Sequence, residues 1–238
     1  MIWKGTYGWS KHTSLDVKKR HGEASRIVIK KVQSDVMQDD KNTVRKSERT
    51  RQTILNAAAK LFKERGYTAT TLRDVADEAG LKAGSIYYHF ASKDEIMDEV
   101  LDTGLRAVYE AVKAAKNACD DDENYLAMIE ACVHAHLKVL FTQGDFVSAN
   151  IRLYNQLPKE IQERHHTLRR EYGNMWDTLL LNAQKAGFLH SDLEIVPARQ
   201  FILGSLNWTV EWYDDSKYSL EALATRCVSL IARGIYSN

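Results

Sequence analysis

Thr70-Thr71-Leu72-Arg73-Asp74-Val75-Ala76-Asp77-Glu78-Ala79-Gly80-Leu81-Lys82-Ala83-Gly84-Ser85-Ile86-Tyr87-Tyr88-His89-Phe90 reads as two short helices joined by a tight glycine turn. Thr70 or Thr71 is the expected N-cap of the first helix, and Leu72, Val75, Ala76 and Ala79 share one side of it. Gly80 stops that helix, and Gly80-Leu81-Lys82 leads into a second from about Ala83 to Phe90. Ile86 and Phe90 are four apart, so both point inward. The other face offers the small Ala83, Gly84 and Ser85, then the long, polar-tipped Tyr87, Tyr88 and His89. Two helices in this arrangement form a helix-turn-helix. A DNA major groove about 12 Å wide admits a helix whose leading edge is slim. Read by themselves, Tyr87, Tyr88 and His89 fit half-buried packing equally well.

Upstream, Ile54, Leu55, Ala58, Leu61 and Phe62 fall on one face of a helix from about Ser47 to Arg65, and Gly66 is its expected C-cap. Downstream, Ser92-x-x-Glu95 is a capping box that opens a long helix to about Asn117. After a polar break at 120–123, helices are expected at 124–142, 145–155, 159–187, 194–213 and 219–235. No strand meander or repeat is visible, so the fold class is all-α. Residues 45–91 form a three-helix helix-turn-helix domain, and 92–238 a second helical domain. Residues 1–44 have no sustained helical period. They read as an extension, disordered or not native, with Met37 the expected functional start. Arg26 to Lys30 has strand character but no strand partner nearby.

The chain of 238 residues carries 33 Lys+Arg against 32 Asp+Glu, and a net charge of +1 does not by itself suggest a polyanion partner. That total is a cancellation. Residues 1–52 hold 13 basic and 6 acidic residues, 53–95 hold 6 of each, and 96–238 hold 14 basic and 20 acidic. A basic end on an acidic remainder suggests a nucleic-acid partner or a solvated tail. Three widely spaced cysteines form neither a disulfide framework nor a zinc site, which fits the cytoplasm. No apolar run is long enough to span a membrane. His134 and His136 diverge on a helix, as do His165 and His166, so neither pair chelates one metal. H-E-x-x-H, G-x-S-x-G and the phosphate- and dinucleotide-binding fingerprints are absent. The expectation is a protein that is not an enzyme and that holds no metal and no cofactor.

Arg51-x-x-Ile54-Leu55-x-Ala57-Ala58-x-x-Leu61-Phe62-x-x-x-Gly66-Tyr67-x-x-Thr70-Thr71 resembles the first half of a tetracycline-repressor (TetR/AcrR) family DNA-binding domain. Val75-Ala76-x-x-Ala79-Gly80-Leu81-x-x-Gly84-Ser85-Ile86-Tyr87-Tyr88-His89-Phe90-x-x-Lys93-x-Glu95 resembles the second half. The resemblance implies that Thr71 holds phosphate and that Arg73 reaches bases or phosphates. It implies that Lys82, Ala83, Gly84 and Ser85 lie at the groove edge. By the same resemblance Tyr87, His89 and Lys93 bond phosphates, and Tyr88 touches bases or thymine methyls. Arg45, Lys46, Arg49 and Arg51 are candidates for an arm reaching the minor groove or backbone.

The resemblance further implies that residues 92–238 bind a ligand and dimerise through the last two helices, with a double-stranded palindromic operator as the DNA partner. Leu206, Trp208 and Val210, then Leu220, Leu223, Cys227, Leu230, Ile231 and Ile235, supply apolar stripes for a homodimer or for an intramolecular core. The stretch from Met175-Trp176 to Trp212-Tyr213 resembles a subgroup that senses acyl-coenzyme A thioesters. Tyr154, Arg169, Arg170, Trp176, Trp208 and Trp212 are the candidate ligand residues, because cations near aromatics suit an anion with an apolar part. Arg169 and Arg170 also fit a solvated helix face, and the tryptophans fit a core. The expected function is a cytoplasmic, homodimeric transcriptional repressor released by a small hydrophobic or acyl-CoA-type effector. The alternatives are a repressor of efflux or stress genes that answers a cationic or aromatic toxic compound, and a DNA-binding protein without a ligand.

Overall fold

The computed structural model describes residues 45–235 apart from 120 and 122. The expected N-terminal extension, the start at Met37 and the stretch from Arg26 to Lys30 lie outside the described residues. The chain divides at residue 51 into two units. Of the first, residues 45–51 are described, and they are helical.

Among the described residues the architecture is helical, with no strand. In the second unit, helix α1 covers residues 52–65. Its end is closed by Gly66 at φ 81°, whose N–H donates to the Phe62 carbonyl at 2.9 Å. Helix α2 (Leu72–Glu78) is capped by Thr71, not Thr70. The Thr70 hydroxyl turns inward and donates to the Gly66 carbonyl at 2.8 Å. Gly80, at φ 66°, lets the chain reverse so that the Leu81 N–H reaches the Ala76 carbonyl at 2.9 Å. Helix α3 (Ala83–His89) follows. Ile54, Ala58, Phe62, Val75, Ile86 and Phe90 are buried together as the expected three-helix core.

Helix α4 (Lys93–Asn117) is opened by Ser92, whose hydroxyl accepts from the Glu95 N–H at 3.1 Å. It continues with α5 (Tyr125–Thr142), α6 (Gly144–Leu153), α7 (Lys159–Lys185), α8 (Ile195–Trp208) and α9 (Leu220–Ile235). Two expected helices are shorter than their apolar period. The segment read as 145–155 gives way to a 3-10 turn at Tyr154–Gln156 ahead of Pro158. The segment read as 194–213 gives way to another at Thr209–Glu211, where the buried Thr209 hydroxyl donates back to the Leu206 carbonyl at 2.6 Å.

α4 passes through two cores. Its first turns place Ile96, Met97, Val100 and Leu101 in the core of α1–α3, which also takes Ala149, Leu153, Leu157 and Ile161 from α6 and the start of α7. Farther along, Leu105, Val108 and Val112 enter a second core with α5, α7, α8 and α9. One rigid helix therefore packs against both ends of residues 52–238.

Candidate nucleic-acid interface and effector cavity

The seven residues of α3 divide by face. Ile86 and the following Phe90 are buried, whereas Tyr87 is 64% and Tyr88 81% exposed. Half-buried packing therefore does not describe the two tyrosines. The Tyr88 ring meets His89 edge-on with centroids 5.0 Å apart, and His89 itself is half-buried. Lys82, Ala83 and Gly84 are exposed and Ser85 is half-buried, leaving the start of α3 slim. Arg73 is exposed on α2. Lys82 to Ser85, Tyr87 and Tyr88 thus present one polar and aromatic surface.

Two expected contact residues are already engaged. The Thr71 hydroxyl accepts from the Asp74 N–H at 3.1 Å and lies 2.5 Å from the Asp74 carboxylate, which also takes the Thr71 N–H at 2.8 Å. These hydrogen bonds, the side-chain one foremost, hold the Asp74 carboxyl below its ordinary range. The Lys93 ammonium donates to the Tyr67 and Thr70 carbonyls, each at 2.9 Å, and lies 4.2 Å from the Tyr67 ring centroid. These partners are protein groups, and Lys93 ties the α1–α2 corner to the start of α4. The Tyr67 hydroxyl donates to Asp94 beside it. Arg45, Lys46 and Arg49 are exposed on the described part of the first unit.

A cavity of about 290 Å³ lies among α4, α5, α6, α7 and α8. Leu105, Val108, Val147 and Leu203 form its apolar wall. His136, Tyr172 and Asn207 form a hydrogen-bonded chain in its polar wall. His136 Nδ1 lies 2.8 Å from the Tyr172 hydroxyl and Nε2 lies 3.0 Å from Asn207 Oδ1. Burial pushes the His136 pKa down to about 4, so the ring is neutral at neutral pH. With Asn207 Oδ1 as acceptor, Nε2 carries the proton and Nδ1 accepts from Tyr172.

Arg169, also on α7, places its guanidinium 3.4 Å from the Tyr154 ring centroid and donates to the Asn150 side-chain and backbone carbonyls. Its Nε is buried without a partner, and burial lowers its pKa to about 10. No carboxylate is paired with it among the described residues. Arg106, Arg152, Arg164 and Arg199 each have one, in Asp102, Glu211, Asp98 and Asp177. Arg199 also lines the cavity, and its guanidinium approaches α7 so closely that a Cβ on Gly173 would collide with it.

The six expected ligand residues do not come together. Arg169 lines the cavity and Tyr154 stacks on it, but Arg170 is exposed and lines no part of it. Trp176 is fully buried in the second core and is not a wall residue. Trp208, 65% exposed, and Trp212 face outward, as do Phe201 and Leu230. Phe201, Trp212 and Leu230 line an external apolar groove between α8 and α9. Leu223 and Ile231 bury themselves in the chain's own core, so the α9 stripe serves both inside and outside. His136, Asn207 and Asn150 escaped the sequence reading. A histidine in the otherwise apolar α5 was the available signal for the first.

Asp98 on α4 receives Arg164 at 2.7 Å and His165 Nε2 at 3.0 Å, both from α7. Among the described residues no group of three metal-ligating side chains occurs, and no helix is long and apolar enough to cross a membrane.

Comparison with known proteins agrees with this geometry. Residues 54–100 match the family described as bacterial regulatory proteins, tetR family, and residues 122–235 match the tetracyclin repressor-like C-terminal domain. The HTH-type transcriptional repressor KstR2 of Mycobacterium tuberculosis is 34% identical over 167 residues, covering 67% of this chain and 79% of the relative. The fatty acid metabolism regulator protein of Bacillus subtilis is 24% identical, covering 77% and 94%. The solved structure of the ketosteroid transcriptional regulator KstR2 of Mycobacterium tuberculosis superposes with a TM-score of 0.72 at 25% identity, covering 79% of this chain and 95% of that one. The helix-turn-helix at α2–α3, the helical body behind it and these matches together show that the chain belongs to the TetR family of transcriptional regulators.

Proposed function

We propose that the protein is a cytoplasmic, homodimeric transcriptional repressor that binds a palindromic operator through α3 and is released by a small hydrophobic or acyl-CoA-type effector held in the cavity. The observation that carries this reading is the face of α3, with Tyr87 and Tyr88 exposed one turn beyond the slim start at Ala83 and Gly84 while Ile86 and Phe90 anchor the helix. Arg73, Lys82, Ser85 and His89 complete the reading surface, and Arg45, Lys46 and Arg49 add phosphate contacts. Lys93 and Thr71 act by holding the head in shape. The division of labour is a head at 45–91 and a ligand-binding, dimerising body at 92–238.

The outward Phe201, Trp208, Trp212 and Leu230 supply the partner face on α8 and α9. A two-fold dimer sets two recognition helices about one DNA turn apart. α4 supplies the coupling, because its first turns pack in the head core and its later turns wall the cavity. An effector shifts the operator equilibrium only by its unequal affinity for the two states. An efflux repressor answering cationic compounds is the weaker reading, since the cavity holds an unpaired guanidinium.

DNase footprinting on the DNA upstream of the chain's own coding region tests this. The expected result is protection of one palindrome at two or more protomers per site. Uniform protection with no preferred site would overturn it.

A further inference from the structure

The cavity's polar groups are unequally satisfied, and the inequality describes a ligand. The inner acceptors are already occupied. Asn150 Oδ1 accepts from Arg169, Asn207 Oδ1 from His136 Nε2, and His136 Nδ1 from the Tyr172 hydroxyl. The donors are not. Arg169 has no anion and its Nε is buried without a partner, while the half-buried Asn207 side-chain N–H groups, fixed in orientation by His136, donate to no protein group among the described residues. Buried or half-buried donors without acceptors cost free energy until a ligand supplies them. Between them lie Leu105, Val108, Val147 and Leu203, which offer only apolar surface. A volume of about 290 Å³ sits at the lower end of the range for ligand pockets.

We propose that the cavity binds a compact apolar acid as the free carboxylate, its carboxylate paired with Arg169 and a second oxygen, a ketone carbonyl, accepting from the Asn207 amide. This narrows the effector of the proposed repressor and rests on that reading only for its consequence at DNA, not for binding. His136 and Tyr172 are positioning residues. They turn the Asn207 amide so that its N–H groups, not its oxygen, face the ligand. An amine meets the Arg169 charge with no carboxylate to offset it, so the site discriminates against cations. A coenzyme A thioester has no carboxylate at its acyl end to pair with Arg169.

Calorimetric titration of the full chain tests the proposal with four probes: 4-oxocyclohexanecarboxylate, cyclohexanecarboxylate, cyclohexylammonium and cyclohexanecarbonyl-coenzyme A. The oxo acid is expected to bind about three- to tenfold more tightly than the plain acid, the worth of one neutral hydrogen bond. The ammonium is expected not to bind. Arg169→Met should weaken both acids by at least about tenfold, as loss of a charge-assisted pair requires. Asn207→Ala should erase only the advantage of the oxo acid. Arg169→Lys, which keeps the charge, should recover part of the loss and guards against misfolding of the Met variant. The proposal is overturned if neither acid binds at millimolar concentration, if the ammonium or the thioester binds as well as the acids, or if Asn207→Ala weakens both acids equally. Release from the operator is read separately. Acids that bind without releasing DNA leave this inference standing and refute the effector role. Release by another compound with no acid binding refutes this inference alone.

Discussion

The α2–α3 end and the helical body solve opposite problems with the same element. At the head, a seven-residue helix buries Ile86 so that Tyr87 and Tyr88 stand in solvent. In the body, five helices turn Arg169, His136 and Asn207 inward around a small space. The head's surface is contiguous in sequence because one short helix carries it. The cavity's wall is assembled from residues 104 to 207 because five helices contribute to it. Unsatisfied chemistry is therefore cheap at the head, where water serves it, and costly at a buried group such as Arg169 Nε.

That contrast can be broken by experiment. The largest effect is expected where display depends on burial. Phe90→Ala removes a buried ring beneath Tyr87 and Tyr88 and should cost about 3–5 kcal/mol in a denaturant melt. DNA binding should fall with it. A variant that keeps full stability would mean α3 is not anchored by that core.

Acid tests the body. The His136 pKa is about 4 in the fold against an ordinary 6.5, so below pH 6.5 the unfolded chain binds the proton that the native state refuses. Stability is full above pH 6.5 and declines as pH falls toward 4. Of the order of 2 kcal/mol should be lost by pH 5, since each pH unit in that window is worth about 1.4 kcal/mol. Thermal melts of His136→Gln should lose this part of the pH dependence. Parallel curves for wild type and variant would remove His136 from the account.

A smaller effect should come from Lys93, which lies between the two regions. Lys93→Ala leaves the Tyr67 and Thr70 carbonyls without their donor and should cost about 1–2 kcal/mol of stability as well as DNA affinity. A loss of DNA affinity with an unchanged melt would return Lys93 to a phosphate contact.

The same contrast explains what could be read from the sequence. Capping residues, turn glycines and inward apolar positions of the head lie within a few residues of one another, so Gly66, Gly80, Ile86 and Phe90 define it by local rules. Helix ends were harder, because the apolar period continues past Leu153 and Trp208 while local hydrogen bonds stop the helix. Arg169 and Arg170 are neighbours about 100° apart on a helix, and only the packing of α7 chooses which faces the cavity. Trp176, Trp208 and Trp212 have similar chemistry yet opposite burial, decided by which helices cover them. His136 was weighed only as a metal ligand, since its partners are 36 and 71 residues away.

The central claim is that the exposed face of α3 reads DNA. Its most direct test is a fluorescence-anisotropy titration of a labelled palindrome from the upstream region with wild type and a Tyr87→Ala, Tyr88→Ala double variant. With both side chains already in solvent, the melt of the double variant should match wild type while its affinity for the palindrome falls by at least about tenfold, as base and phosphate contacts worth 1–3 kcal/mol each require. Equal affinity at equal stability would contradict the account.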